Sequence, residues 1–422
     1  MKILAILYLI GLSTTIMAWT HGIARFNIFL ITVMCIIALV QVFRPKSILM
    51  CPWVIVFYIM TALFPLGYLE TYRITTVLFT GLFCCSYMFF LDMLRKELIR
   101  ENDFMTFLRY LIYAYFIVLV MQQIGVVTNS WIINKGGFVN LSITKLNSLS
   151  TEPAHSTTIL FLAINSYLTL SFSKKEKAYA LTDLMKEETS LFLMYSYSML
   201  TMGSVTGIIL YAFSFFIQNR LNMKQLLVML LFFLLIPYII ANWDFSLFER
   251  IKTFFDALWE MDAEYLRRTD ASAAARLAPF MLYLNDLDIF SYSFWCGYGI
   301  DHCQLINRAF FHYDLDSESG MGGLIPNYLI DFGFLPFSCF FIMAYKYCLK
   351  TVHSSFWWNI IVLCLVCLPS GINTALLWFC IVTLSANQFF LDERKVPEEP
   401  AAPVPESADF GSGTQYKEER EL

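Results

Sequence analysis

ITTVLFTGLFCCSYMFFL (74–91) and FLRYLIYAYFIVLVMQQIGVV (107–127) are two apolar blocks parted by DMLRKELIRENDFMT (92–106). That alternation decides the fold class. Each block has the roughly 20 residues a helix needs to cross a bilayer core. The segment between them carries Arg95, Lys96 and Arg100, the basic mark of a short cytoplasmic loop. The pattern extends in both directions, with further candidate spans at 3–19, 26–43, 48–69, 154–172, 225–241, 326–345, 356–368 and 371–390. Composition agrees, since 58% of the chain is hydrophobic and 15% charged, whereas soluble domains carry about 25% charged residues. An open sheet would leave unpaired backbone groups in lipid. A transmembrane barrel would show alternating strands, and these blocks do not alternate. The sequence therefore predicts an all-α, polytopic transmembrane helix bundle of about twelve crossings. Residues 3–19 read as its first helix, not a signal peptide, because no small-x-small site precedes the next span.

Lysine and arginine set the orientation. With the N-terminus in the cytoplasm, the short inner segments hold sixteen basic residues, among them Lys2, Arg44, Lys46, Arg95, Lys96, Arg100, Lys174, Lys346 and Arg394. The short outer loops hold four: Arg25, Arg73, Lys135 and Lys145. This works only if 189–217 enters and leaves on one side. Its two halves are each too short to span, so they read as two short helices or a re-entrant hairpin broken at Gly203, Ser204, Thr206 and Gly207. Both termini then face the cytoplasm, and the expected location is a bacterial inner membrane.

Residues 1–390 form the transmembrane domain in this reading. The segment 242–325 is a large outer, periplasmic loop, too long for a simple connection. Within it, FERIKTFFDALWEMDAEYLRR (248–268) has apolar residues at helical spacing and should lie on the membrane surface or cap a cavity. The tail 391–422 holds four Pro and nine acidic residues and reads as disordered and cytoplasmic. Cys296 and Cys303 share the outer loop and are expected close together; a disulfide and two free thiols both remain open.

Residues able to do chemistry gather at the expected outer face. STEPAHSTT (150–158) opens a span, and Pro153 suits a first helical position. Glu152 then sits at the positive end of the helix dipole, with His155 one turn inward. A capping Glu and an interfacial His are the structural alternative. The large loop offers Arg250, Arg267, Arg268, Arg276 and Arg308, whose forks match phosphate oxygens. Arg276 lies in DASAAARLAPF (270–280), a small-residue helix that would pack on the bundle. Surface ion pairs are the alternative here, because the loop carries thirteen acidic residues against six basic. Gly297-Tyr298-Gly299 precedes His302, and Asn327 and Asp331 stand one turn apart in GGLIPNYLIDFGFLPF (322–337). His155, His302 and His312 lack zinc-type spacing, so no metal is expected.

The order of these features resembles the Wzy-type O-antigen and capsular polysaccharide polymerases, relatives of the O-antigen ligases. The resemblance covers about residues 100–390. It rests on the EP pair at 152–153, the broken helix LTMGSVTGIIL (200–210), Arg276 in DASAAARLAPF, the Gly-x-Gly turn and the Asn327-x5-Gly333 helix. Two departures stand: EPAHS where the family shows EPS or EPA with an aromatic, and an acidic outer loop where the family's is often basic. The resemblance implies metal-independent glycosyl transfer without a cofactor. Donor and acceptor are polyprenyl-diphosphate-linked oligosaccharides, and a chain-length regulator is an expected partner beside the lipid bilayer; no nucleic acid is. It places Arg276, with Arg250, Arg267 and Arg268, on the leaving pyrophosphate, and Glu152 with His302 or His155 on the acceptor hydroxyl. Arg308 and Asn327 are further substrate-binding candidates. An O-antigen ligase differs only in acceptor. A lipid-linked sugar transporter would show internal repeats and a midplane site, and the two halves show no repeat.

The charge count generates the first prediction. Reporter fusions after residues 270 and 395 should place the former outside and the latter inside; alkaline phosphatase activity at 395, or its absence at 270, overturns the topology.

Overall fold

The computed structural model describes residues 1–15, 18–21, 24–43, 50–67, 73–128, 146–175, 180–202, 204–215, 256, 259–260, 262–269, 274, 278, 281–285, 287–300, 302–303, 305–306, 324–350, 356–367 and 370–393. The span expected at 225–241 and the tail from 394 lie outside them.

The described chain is helical apart from one hairpin. Helix α1 (Lys2–Ser13) is followed by strands β1 (Ala18–His21) and β2 (Ala24–Asn27), which pair antiparallel with Ala18 opposite Asn27. Next come α2 (Ile28–Val42), α3 (Pro52–Leu63) with a 3-10 turn (Phe64–Gly67), α4 (Ile74–Arg95), α5 (Glu101–Val127) and α6 (Pro153–Lys175). After these lie α7 (Leu181–Glu187), α8 (Thr189–Thr201), α9 (Val205–Ser214), α10 (Ala263–Thr269) and α11 (Tyr292–Cys296). The series ends with α12 (Leu324–Phe332), α13 (Phe334–Ala344) running into a π turn (Tyr345–Leu349), α14 (Phe356–Cys367) and α15 (Ala375–Glu393).

Three of these helices, α4, α5 and α15, are long and apolar enough to cross a membrane. Five shorter apolar segments accompany them: Lys2–Ser13, Ile28–Val42, Pro52–Gly67, Phe334–Leu349 and Phe356–Cys367.

Two expected spans are corrected. The first is not continuous over 3–19. Ser13 and Thr14 turn their hydroxyls back onto Leu9 O and Ile10 O, both at 2.8 Å. Asn27 Nδ2 takes Gly11 O and Thr14 O at 3.1 and 2.7 Å. With the terminal carbonyls satisfied from outside, the helix stops and the hairpin begins, so the chain is not purely α. The second, 326–345, is broken at Gly333, whose φ of 82° no ordinary helix residue adopts.

The segment 189–217 does divide in two. Ser204 caps α9, its Oγ accepting from Gly207 N at 3.3 Å. Gly207 also lets α9 lie close on α6: a Cβ there would stand 2.7 Å from Thr157 Cγ2 and 3.1 Å from Met199 O.

Helix α6 is the axis of the bundle. It packs against α5, α8, α9 and α15. Its Ser156, Thr157, Thr158, Asn165, Ser166 and Thr169 are all buried. Trp358 Nε1 donates to Asn165 Oδ1 at 2.8 Å, and Asn387 Nδ2 donates to Ser166 Oγ at 3.1 Å. Beside this polar helix lies an aromatic wall in which Trp378 stacks on Phe83 with centroids 5.5 Å apart.

Gly207→Val should lower the melting temperature of the detergent-solubilised protein, the overpacked contact costing about 1–3 kcal/mol. Gly371→Ala, whose added Cβ would meet nothing nearer than 3.9 Å, should leave it unchanged. Equal melting of both variants would refute the close α6–α9 approach.

Candidate functional site

The start of α6 is held by a buried turn. Gln122 of α5 accepts from Ser148 N at 2.8 Å and donates through Nε2 to Asn147 Oδ1 at 3.1 Å. Ser148 Oγ donates to Tyr115 O at 2.7 Å, and Ser156 Oγ donates to Asn147 O. Asn147, Ser148 and Ser150 are buried, so none of these groups can fall back on water. Glu152 follows immediately as the residue before the first helical turn, its carbonyl accepting from Ser156 N at 3.1 Å. Its half-buried carboxylate has no hydrogen bond or ion pair among the described residues. Thr151 Oγ1 and His155 Nδ1 stand 3.2 Å apart.

A second cluster forms where α11 meets α12. The last carbonyls of a helix have no partner within it. Here Ile330 O and Asp331 O accept from Tyr298 N and Gly299 N at 2.9 and 3.0 Å. The Gly-Tyr-Gly turn thus caps α12 through its backbone. This requires contact between main chains, and glycine supplies it. Gly297 and Gly333 both have positive φ, 81° and 82°. A Cβ on Gly297 would lie 2.2 Å from Asp331 O, and one on Gly333 2.3 Å from Gly297 N.

The side chains of α12 continue the same clamp. Asp331 Oδ1 accepts from Cys303 N at 2.8 Å, and Cys303 Sγ donates to Asn327 Oδ1 at 2.8 Å. His302 stacks on Tyr298 at 4.8 Å, and Tyr283 meets Tyr298 edge-on at 6.4 Å. Burial pushes the His302 imidazole below its ordinary pKa, favouring the neutral base. Burial first, and then the Asp331 charge, push the Cys303 thiol up and keep it protonated as a donor. Both Cys296 and Cys303 are free thiols, so no disulfide joins them.

The sequence candidates therefore fall into separate places. His302 and Asn327 both lie at the α11–α12 junction, where Asn327 bonds Cys303, the residue after His302, while Glu152 and His155 sit at the start of α6. No hydrogen bond, ion pair or ring contact links Glu152 to His302 among the described residues. Arg267 and Arg268 both turn to Glu264 on their own short helix, Arg268 Nε at 3.4 Å. Spacings of three and four residues bring them to that carboxylate, which is the ion pairing given as the alternative for this loop. Arg250, Arg276 and Arg308 lie outside the described residues, as does most of 248–268. Among the described residues no three His, Cys, Asp or Glu side chains converge as a metal site would need.

Sequence reading missed an inner polar layer, having placed the polar residues at the outer face. Arg109 lies eight positions into α5, about 12 Å along the axis. It donates to Tyr167 Oη and pairs with Glu188 Oε2, each at 2.6 Å, and Tyr167 Oη donates to Glu188 Oε1 at 2.7 Å. Neighbouring Asn165 and Ser166 carry the layer through α6 to Trp358 and Asn387. A basic residue inside the apolar block 107–127 was the available signal, since such residues in membrane helices need partners.

No family model, no curated protein and no solved structure matches this chain.

The junction generates a prediction. In the native protein Cys303 should resist a membrane-impermeant maleimide, as a buried, protonated thiol bonded to Asn327. Gly333→Ala should open the contact and raise its labelling, read by peptide mass spectrometry. Ready labelling of native Cys303 would contradict the geometry.

Proposed function

We propose that the chain is a polysaccharide polymerase of the inner membrane, transferring a polyprenyl-diphosphate-linked glycan onto a lipid-linked repeat unit at the outer face. The observation that carries this is the α11–α12 junction. The Gly-x-Gly turn and the Asn327-x5-Gly333 helix are two separate motifs in the sequence resemblance, and they fold into one clamp beside His302. About twelve crossings, both termini inside and a periplasmic 242–325 complete the reading.

The transfer breaks the bond between the donor's anomeric carbon and its phosphate oxygen. It forms a bond from that carbon to the acceptor hydroxyl oxygen. The hydroxyl proton passes to a base, and lipid pyrophosphate leaves. Glu152 supports the role of base because its carboxylate has no partner among the described residues. His302 is the second candidate, held neutral by burial and fixed by its stacking on Tyr298. Arg276, with Arg250, Arg267 or Arg268, is assigned to the leaving pyrophosphate. A chain-length regulator is the expected protein partner.

The inner polar layer favours one other reading. Ionisable groups at depth line transport paths in many membrane proteins, so a flippase for lipid-linked sugars is the alternative. Deletion separates the readings. Loss of a polymerase leaves single repeat units on surface glycan, loss of a ligase removes surface glycan, and loss of a flippase stops repeats reaching the outside.

Glu152→Gln and Arg276→Ala should shorten the glycan ladder at normal membrane abundance. The expected rate losses are about 10²–10⁴ for the base and about 10²–10³ for the cation. Arg276→Lys should fail as well, because a point charge does not replace the guanidinium fork. If His302 is the base, its depressed pKa keeps it neutral at pH 7. Activity should then fall only on acidification below about 6.5, a limb His302→Gln would abolish. Normal ladders in all these variants would sink the assignment.

A further inference from the structure

The segment LDIFSYSFWC (287–296), which leads into the junction, turns its apolar side chains outward. Phe290 is 97% exposed, Tyr292 60% and Ile289 52%, with Trp295 beside them. Its polar groups are meanwhile satisfied internally. Asp288 Oδ1 accepts from Phe290 N at 3.0 Å, and Asp288 O from Ser291 Oγ at 2.7 Å. Ser291 Oγ caps α11 by accepting from Phe294 N at 3.1 Å. Trp295 Nε1 donates to Ile289 O at 2.9 Å. A short segment with its donors and acceptors closed and its aromatic rings displayed is built to leave water on that side.

Its neighbours fix what lies there. Phe294 stacks on Phe334 at 5.4 Å, and Trp295 meets the same ring edge-on at 5.6 Å. Phe334 is the first residue of α13, which opens the apolar segment Phe334–Leu349. On its other flank, Gly67 stands against Tyr292, whose hydroxyl would be 3.2 Å from a Cβ there. Gly67 ends the apolar segment Pro52–Gly67. The displayed rings thus bridge the ends of two apolar segments and continue their exposed surface, which includes Leu63, Leu66, Phe334 and Leu335.

We propose that residues 287–296 form an aromatic ledge seated in the headgroup and acyl boundary of the outer leaflet, with phospholipid as its occupant. Aromatic side chains concentrate at that depth because their rings leave water while their polar tips stay wet. Tyr292 and Trp295 have that amphipathic form, and Phe290 supplies a purely apolar wedge. The opposite side of the ledge carries Cys296 and Gly297 into the clamp. Bilayer contact therefore sets the depth of His302, and a lipid-linked substrate meets the turn without leaving the membrane surface. The inference rests on the membrane reading and not on glycan transfer.

The test places a photoreactive benzoylphenylalanine at position 290 of the full chain, reconstituted in bilayers of purified phospholipid. The same group at Tyr110, 66% exposed on the long apolar α5, serves as reference. Phospholipid adducts at both positions are expected. Adducts at 110 with none at 290, or cross-linking of 290 to a second copy of the chain, would overturn the ledge while leaving the membrane reading standing. Absence of lipid adducts at 110 as well would overturn both.

Discussion

Helix α6 carries hydroxyl and amide side chains along a length sealed from water, and the elements packed around it answer to that. A buried polar group left unpaired costs about 1–3 kcal/mol, so each needs a partner at a fixed place. Trp358 reaches Asn165, Asn387 reaches Ser166, and Arg109 with Glu188 brackets Tyr167. Those partners come from α14, α15, α5 and the start of α8, and their register is set by these bonds. Gly207 completes the arrangement by letting α9 approach where a larger residue would collide with Thr157.

The same rule operates at the end of α12 with backbone groups. Helix α12 ends in carbonyls that water or another chain segment must satisfy, and the Gly-Tyr-Gly turn does so. The cost of this solution is two glycines in conformations that other residues rarely adopt, placed main chain to main chain. In return, the turn that carries His302 is bound rigidly to the helix that carries Asn327 and Asp331.

Two polar regions thus lie at different depths of one bundle, and they differ in character. In one, Arg109, Tyr167 and Glu188 bond one another, although Arg109 Nε is buried without a hydrogen bond among the described residues. In the other, at the start of α6, the Glu152 carboxylate is left without a partner among the described residues.

Much of the fold was legible from hydropathy, because bilayer thickness imposes a length that a run of apolar residues displays directly. The blocks 74–91 and 107–127 became α4 and α5, and the small residues near 203–207 marked a real break. Sequence also singled out the Gly-x-Gly turn and Gly333 as places of close backbone approach. It could not pair them, since 36 positions separate Gly297 from Gly333 and only the folded bundle brings their main chains together. Nor could hydropathy see where α1 would stop: Asn27 Nδ2 takes its last carbonyls, and Leu149 O accepts from Thr15 N at 2.8 Å. Local propensity and solvent thus determined which segments became helices. Which polar groups met was decided by tertiary packing, because hydrogen bonds act over about 3 Å and chain distance does not report it.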